Sequence, residues 1–261
     1  MDEQQLLDQA PVNIKKHIEN HPYQKDNVGM ESSFVYIYND LNLVLKVVDN
    51  EAHFQSEIMM MKWLNGKVLV PRIIEYGISE GYYYLLMTKL EGLMAFDDEL
   101  MKNPEALIDI LVSGIKSFWE ISIKDCPIDN RNENKLKIAK ERIKNNLVEI
   151  DDWDPELTSK RFNKPEEIYQ YLLENKIEEK LVVSHGDYCL PNIFIKDQKI
   201  TGFIDLSRAG IADIYQDISL LIRSFNYNNK SNDYKKLIIE KLGIDFDEKK
   251  YDYYLLLDEL F

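Results

Sequence analysis

The sequence predicts an α+β protein, with a small antiparallel sheet at one end and helices over most of the rest. Three observations predict it. Short apolar runs bounded by turn residues fill the first third of the 261 residues. From Pro104 onward the apolar residues recur mostly at helical spacing. The stretch 181–206 is the exception and returns to strand-like runs. Strands first and helices afterwards make a segregated α+β arrangement rather than an alternating one.

Taken in order, residues 1 to about 20, containing IKKHI, are expected to form a short polar helix. FVYIY (34–38) and LVLKVV (43–48) read as strands joined by the turn Asn39–Asn42. In 51–65 the helical spacing puts Phe54, Ile58, Met61 and Leu64 on one face, and Gly66 ends the helix. After Pro71, IIEYGI and YYYLLM form a second hairpin about Ser79-Glu80-Gly81. TKLEG (88–92) is a candidate hinge where the sheet gives way to helices. Helices are expected at 105–121, 133–149, 165–175, 214–225, 233–242 and 247–259. The expected division is an N-lobe of 1–90 and a C-lobe of 91–261.

Composition narrows the function. Hydrophobic content of 45% with 30% charged residues is that of an ordinary globular protein. No apolar run approaches the roughly 18 residues that span a bilayer. MDEQQLLDQAPV lacks the basic and apolar regions of a signal peptide, and Cys126 and Cys189 make no disulfide framework, so the expected location is the cytoplasm. A net charge of −14 disfavours nucleic acid and anionic membrane and suits a cationic partner. No feature points to an obligate protein partner.

The chemistry concentrates in HGDYCLPNIFIKDQKITGFIDLSRAG (185–210). Asp187 precedes Asn192 by five residues, the offset of the kinase catalytic loop, where the Asp meets the substrate hydroxyl and the Asn holds Mg²⁺. IFI and ITGFI then read as a hairpin turning at Lys196–Lys199, with Asp205 at its end in the place of the metal-binding Asp of D-F-G. Two oxygen donors at one cleft suit a hard cation such as Mg²⁺. Lys46 sits inside the apolar strand LVLKVV, and Glu57 follows in the next helix; a Lys–Glu pair of this kind would hold the ammonium toward nucleotide phosphates. Gly29, Ser32 and Ser33 would permit close backbone approach to phosphate, although no Walker A sequence is present.

These residues, with WLNGKVLVPRIIEY, LLMTKLEG, KDCP, GFIDLSRAGIADIYQDIS and the closing LLLDELF, make the chain resemble the aminoglycoside 3′-phosphotransferases over nearly its whole length. The resemblance implies a bilobal protein-kinase-like fold, with a five-stranded antiparallel sheet and one helix in the N-lobe and a helical C-lobe. It implies phosphorylation of the 3′-hydroxyl of an aminoglycoside antibiotic, conferring resistance, with ATP or GTP as donor and Mg²⁺ as cofactor. It gives Asp187 the role of catalytic base, Asn192 and Asp205 that of metal ligands, and Lys46 with Glu57 the nucleotide phosphates. Ser32 or Ser33 would serve the nucleotide loop, and the main chain of Thr88 and Leu90 the purine edge. The chain departs from the family at Glu31, at Val44 where some members stack an aromatic, and at Ser207 where glycine is usual.

Aminoglycosides carry several ammonium groups, and two acidic clusters could meet them. One is DDWDPE (151–156), contributing Asp152, Asp154 and Glu156; the other is Asp258, Glu259 and the α-carboxylate of Phe261. The resemblance places both at the drug pocket, with Arg208 and Arg223 organising carboxylates. Because LLLDELF ends apolar, the segment is expected to dock rather than fray. Two other readings are a kinase-fold enzyme for another cationic or polyhydroxylated small molecule, and a non-catalytic binder of nucleotide or drug. Intact Lys46, Asp187, Asn192 and Asp205 argue against the second.

Overall fold

A computed structural model describes residues 3–26, 33–151, 153–229 and 234–261. In chain order its elements begin with α1 (Glu3–Asp8), α2 (Val12–Ile18), β1 (Gln24–Asp26), β2 (Ser33–Tyr38), β3 (Leu43–Val48) and α3 (Glu51–Leu64). Next come β4 (Ile73–Ser79), β5 (Tyr82–Thr88), β6 (Leu93–Met94), α4 (Asp98–Met101), α5 (Pro104–Trp119), α6 (Asn132–Lys144) and α7 (Pro165–Glu174). The chain closes with β7 (Leu181–Ser184), β8 (Ile193–Lys196), β9 (Lys199–Phe203), β10 (Gly210–Asp213), α8 (Tyr215–Asn228), α9 (Lys235–Leu242) and α10 (Glu248–Asp258). They form two compact units: Met1–Leu100 with Pro191–Arg208, and Met101–Leu190 with Ala209–Phe261.

The first unit is built on a five-stranded antiparallel sheet in the order β1-β2-β3-β5-β4. The period of two along its strands decides which residues are buried together. Tyr36 and Tyr38 of β2, Leu45 and Val47 of β3, and Tyr84 and Leu86 of β5 share one core. Leu6, Ala10, Ile14 and Ile18 complete it, and Tyr84 Oη donates to Leu6 O at 3.0 Å. The expected single polar helix at 1–20 is therefore two short helices with an apolar stripe at every fourth residue, broken at Pro11 because proline has no N–H to continue the ladder. In β3, Lys46 lies between two core residues and so points to the opposite face of the sheet. Asn50 caps α3 by accepting from His53 N, and Phe54, Ile58, Met61 and Leu64 are all buried as the spacing predicts.

The β8–β9 hairpin belongs to this first unit, which differs from the expected split at 90/91. Asp197 and Gln198 both have positive φ, which gives the two-residue turn a twist matching the strands. β6 pairs with β8, Ala95 N donates to Ile193 O at 2.9 Å, and Phe203 N donates to Leu69 O at 2.9 Å. Two glycines make the approach possible. A Cβ on Gly92, whose φ is +100°, would fall 2.3 Å from Ile195 O, and one on Gly202 would fall 2.6 Å from a Leu90 methyl. A strand as short as β6 leaves no signal in the sequence, so the boundary read there stops too early.

In the second unit, β7 and β10 form a short antiparallel pair. α5 presents Leu107, Ile108, Leu111, Ile115 and Phe118 to the core, capped by Asn103 and started by Pro104. α8 is buried on nearly every side from Tyr215 to Phe225. α6 ends at Lys144 rather than the expected 149; Asn146 turns the chain with φ +55°. Leu255, Leu256, Leu257 and Leu260 are buried, so the closing segment docks as its apolar run predicts.

Candidate active site

In the first unit a lysine sits between two carboxylates. Lys46 Nζ lies 2.8 Å from Glu57 Oε2 and 3.2 Å from Asp205 Oδ1. β3 aims the lysine and α3 the glutamate, and both are largely shielded, with side-chain exposures of 14% and 5%. Burial alone would lower the Lys46 pKa; attraction from Glu57 and Asp205 outweighs it and raises the pKa, so the ammonium stays charged. Burial raises the Glu57 carboxyl, and Lys46 pulls it the other way.

Asp205 has φ +57°, the left-handed region that costs a non-glycine residue about 1 kcal/mol or more and clusters at functional sites. Ser207 is not in that region: its hydroxyl donates to Asp205 Oδ1 at 3.3 Å. The serine in the usual glycine position thus supports the carboxylate, and the unusual backbone angle falls on the aspartate itself. Asn192, buried at the end of a single 3₁₀ turn, accepts Ile204 N on its carbonyl at 3.0 Å. That bond joins the end of the 3₁₀ turn to the residue before Asp205. Thr88 N donates to Arg72 O at 2.9 Å, and Thr88 Oγ1 accepts Arg72 N at 2.9 Å.

In the second unit the loop carrying Asp187 is fixed from beneath by α8. Asp217, fully buried, accepts His185 N and Gly186 N, each at 2.8 Å. Burial raises its carboxyl above the ordinary value, against the pull of these donors. Asp187 N donates to His185 Nδ1 at 3.3 Å, and Leu190 N to Ser224 Oγ at 3.0 Å. Tyr188 Oη donates to Leu111 O at 2.8 Å. The Cys189 thiol bonds to the Asp187 carboxylate; burial first, then that negative charge, pushes the thiol pKa well up.

Arg223 of α8 bonds to Asp258 and lies 3.6 Å from Glu259 Oε1. Glu259 is pushed up to about 7 by burial, with Asp258 and Asp154 adding negative charge and Arg223 opposing. Cys189 feels Asp187, Asp258 and Arg223 together, so the loop aspartate and the acidic closing segment share one region of this unit.

The structure gathers the sequence-predicted residues selectively. Lys46, Glu57 and Asp205 meet directly, and Arg223, Asp258 and Glu259 meet directly. Asp154 instead uses Oδ1 to cap the turn Pro155–Ser159, accepting Glu156 N and Leu157 N at 2.8 Å each. Glu156 forms an exposed i,i+4 pair with Lys160, and such a pair contributes little. Arg208 ends the 3₁₀ turn Leu206–Arg208 in the first unit. Ser33 opens β2; Ser32 and Asp152, with Gly29 and Glu31, lie outside the described residues. The sequence reading gave no individual role to Asp217 and Ser224, which hold the loop, although Asp217 falls within the motif run IADIYQDIS.

Residues 27–254 match the model of a family described as "Phosphotransferase enzyme family". The chain is 36% identical over 260 residues to an aminoglycoside 3′-phosphotransferase of Enterococcus faecalis, covering 95% of this chain and 97% of that one. It is 41% identical over 209 residues to one from Niallia circulans, covering 79% and 78%. Among solved structures, an aminoglycoside phosphotransferase, APH(3″)-Id of Streptomyces rimosus, in complex with ADP and streptomycin, superposes with a TM-score of 0.79 at 22% identity, covering 100% of this chain and 99% of that one.

Proposed function

The chain belongs to the phosphotransferase enzyme family and is related along almost its whole length to aminoglycoside 3′-phosphotransferases, and we propose that it transfers the γ-phosphoryl group of ATP or GTP to the 3′-hydroxyl of an aminoglycoside. The observation that carries this reading is Lys46 held between Glu57 and Asp205. A charged lysine fixed by a buried glutamate is what phosphoryl transfer needs against the α/β-phosphates. The relatives' name supplies the acceptor class, and the ADP complex of the fold relative supplies the donor class.

In this reading Asp187 orients the acceptor hydroxyl and takes its proton. Its main chain is fixed through His185, Gly186 and Leu190, so the carboxylate reaches the hydroxyl without reorganising the loop. Asn192 and Asp205 offer an amide oxygen and a carboxylate, a hard-oxygen pair that fits Mg²⁺ and leaves its other positions to water and phosphate. When bound, the ion would neutralise charge on the transferring group. The Thr88 N–H is already committed to Arg72, so a purine edge would meet the Thr88 carbonyl and the Leu90 main chain. Asp258 and Glu259, oriented by Arg223, would receive drug ammonium groups; Arg208, Phe261 and the 151–156 acids complete the proposed substrate residues.

The test is transfer from labelled ATP and GTP to a panel of aminoglycosides, with phosphate located on the product by NMR. A 3′-hydroxylated drug should be phosphorylated at that position, and its 3′-deoxy counterpart should not be turned over. Phosphate found on another hydroxyl, or donor consumption indifferent to the drug, would remove the regiochemical assignment.

A further inference from the structure

Arg142 makes contacts that its place on a charged, largely exposed helix does not announce. Its Nε donates to Leu260 O at 2.9 Å, and its Nη2 donates to Phe261 O at 2.8 Å and to Leu147 O at 2.7 Å. One guanidinium therefore ties the closing residues of α10's extension to the segment that leads into the 151–156 acids. Two further bonds join the same partners: Trp153 Nε1 donates to Glu259 O at 3.0 Å, and Asp154 N donates to the Glu259 carboxylate. The two acidic segments, distant in sequence, are stitched into one wall.

Lys135 supports the arrangement from the same helix. It lies seven residues before Arg142, two helical turns away and on the same face. Its Nζ stands 5.0 Å from the centre of the Phe261 ring, and the Arg142 guanidinium 5.7 Å, so two cations flank one aromatic face system. Lys135 is buried and donates to Gln216 Oε1 at 2.6 Å; Gln216 Nε2 donates to Gly186 O at 3.2 Å, beside Asp187. The grip on Phe261 thus continues by hydrogen bonds to the catalytic loop.

We propose that Arg142 is a positioning residue for aminoglycoside recognition, fixing the Asp258–Phe261 segment together with Leu147, Trp153 and Asp154 as one rigid carboxylate-bearing wall. The inference rests on the proposed function for its substrate but on the three guanidinium contacts for its mechanism. A planar fork that reaches three oxygens is not replaced by a lysine, which offers a point charge. A surface arginine that merely adds solubility would leave the wall unchanged.

Two measurements on the full-length chain test it, one independent of activity. Hydrogen exchange followed by mass spectrometry should show Arg142→Gln raising exchange across 255–261 and 147–154 by about tenfold or more, the scale of a lost charge-assisted hydrogen bond, with 181–190 unchanged. In steady-state assays Arg142→Gln should raise KM for an aminoglycoside by about tenfold and leave kcat and the nucleotide KM within about twofold. Arg142→Lys should recover part of the drug KM and serves as the second variant if Arg142→Gln does not fold. Unchanged exchange in 255–261, or a drug KM within twofold of wild type in both variants, overturns the proposal. A nucleotide KM rising in step with the drug KM overturns it too, since that marks general destabilisation. A wild-type chain that phosphorylates no aminoglycoside overturns the proposed function instead, and the exchange arm still decides whether Arg142 fixes the wall.

Discussion

If Glu259 receives an ammonium group of the drug, as proposed, drug binding should depend on pH in a direction that the drug itself cannot produce. Its carboxyl is pushed up to about 7 because the side chain is only 6% exposed and has Asp258 and Asp154 nearby, with Arg223 only partly offsetting. At that value the group is about one-tenth ionised at pH 6 and about nine-tenths at pH 8. If an ammonium group of the drug requires the carboxylate, the apparent drug affinity rises roughly tenfold across that interval. Ionisation of the drug works the opposite way, since its ammonium groups lose protons as pH rises. A fall in drug KM from pH 6 to pH 8 therefore reports the protein. The perturbation is Glu259→Gln, which keeps an oxygen for the Asp154 N–H and removes the titration. The assay is KM for one aminoglycoside at saturating nucleotide across the range, in both proteins. A flat wild-type profile, or a slope that survives in Glu259→Gln, refutes the reasoning. The sign for folding is the reverse. The native chain retains a proton that the unfolded chain releases from 4.5 upward, so this group's contribution to stability declines as pH rises from 4.5 toward about 7.

Asp187→Ala should lower kcat by at least about a hundredfold, the contribution of a positioned acid–base group, with Tm unchanged; turnover within about threefold of wild type would sink its role. Lys46→Met should raise the nucleotide KM and lower Tm, because Glu57 is left buried beside Asp205 without its cation, a change worth about 3–5 kcal/mol. Adding Glu57→Gln should restore Tm but not nucleotide binding, and a double variant no more stable than the single would show that the pair is not the source. Drug KM should rise with ionic strength, since the Debye length falls from about 10 Å at 0.1 M to about 3 Å at 1 M. A drug KM constant over that span would assign the −14 charge to solubility alone.

The parts legible in the sequence are those whose physics is local. Alternation in FVYIY and LVLKVV, the apolar stripe of α3 and the Ser79–Gly81 turn each fix an element without help from distant residues, and each stands as read. The hairpin between Asn192 and Asp205 also stands as read, and the Asp187–Asn192–Asp205 spacing was legible because it is continuous in the chain. β1, β6 and β10 are two to four residues long and exist through their partners, so periodicity has nothing to work on. The acids of 151–156 were legible only as a charge cluster. Their charge suggested one substrate-facing group, and the structure adds that Asp154 Oδ1 caps a turn and Glu156 pairs with an exposed lysine. Composition cannot separate an acid that binds a ligand from one that satisfies backbone donors. Arg142 escaped because a charged residue on a helix reads as solvated until the oxygens it meets, 118 and 119 residues away, are known.

The same electrostatic device occurs in both units and bears on the proposal that a strongly acidic chain binds both a nucleotide and a cationic drug. In one unit Lys46 stands between Glu57 and Asp205; in the other Arg223 stands between Asp258 and Glu259. A buried carboxylate with no partner is penalised by several kcal/mol, so the shielded Glu57, Asp258 and Glu259 need the cation beside them. The cation holds the carboxylates in position beforehand and leaves them with capacity for a further positive group, since each carboxylate accepts more than one hydrogen bond. Glu259 extends this. At neutral pH it is poised between neutral and ionised, and an arriving ammonium group, by lowering its pKa, would draw out the charge that binds it. Proton release on drug binding is the measurable consequence. Titration calorimetry in two buffers of different ionisation enthalpy at pH 7 should give different apparent heats for the wild type and a reduced difference for Glu259→Gln. Equal buffer dependence in the two proteins would mean that the proton comes from elsewhere, and that the closing acids meet the drug with their charge already in place.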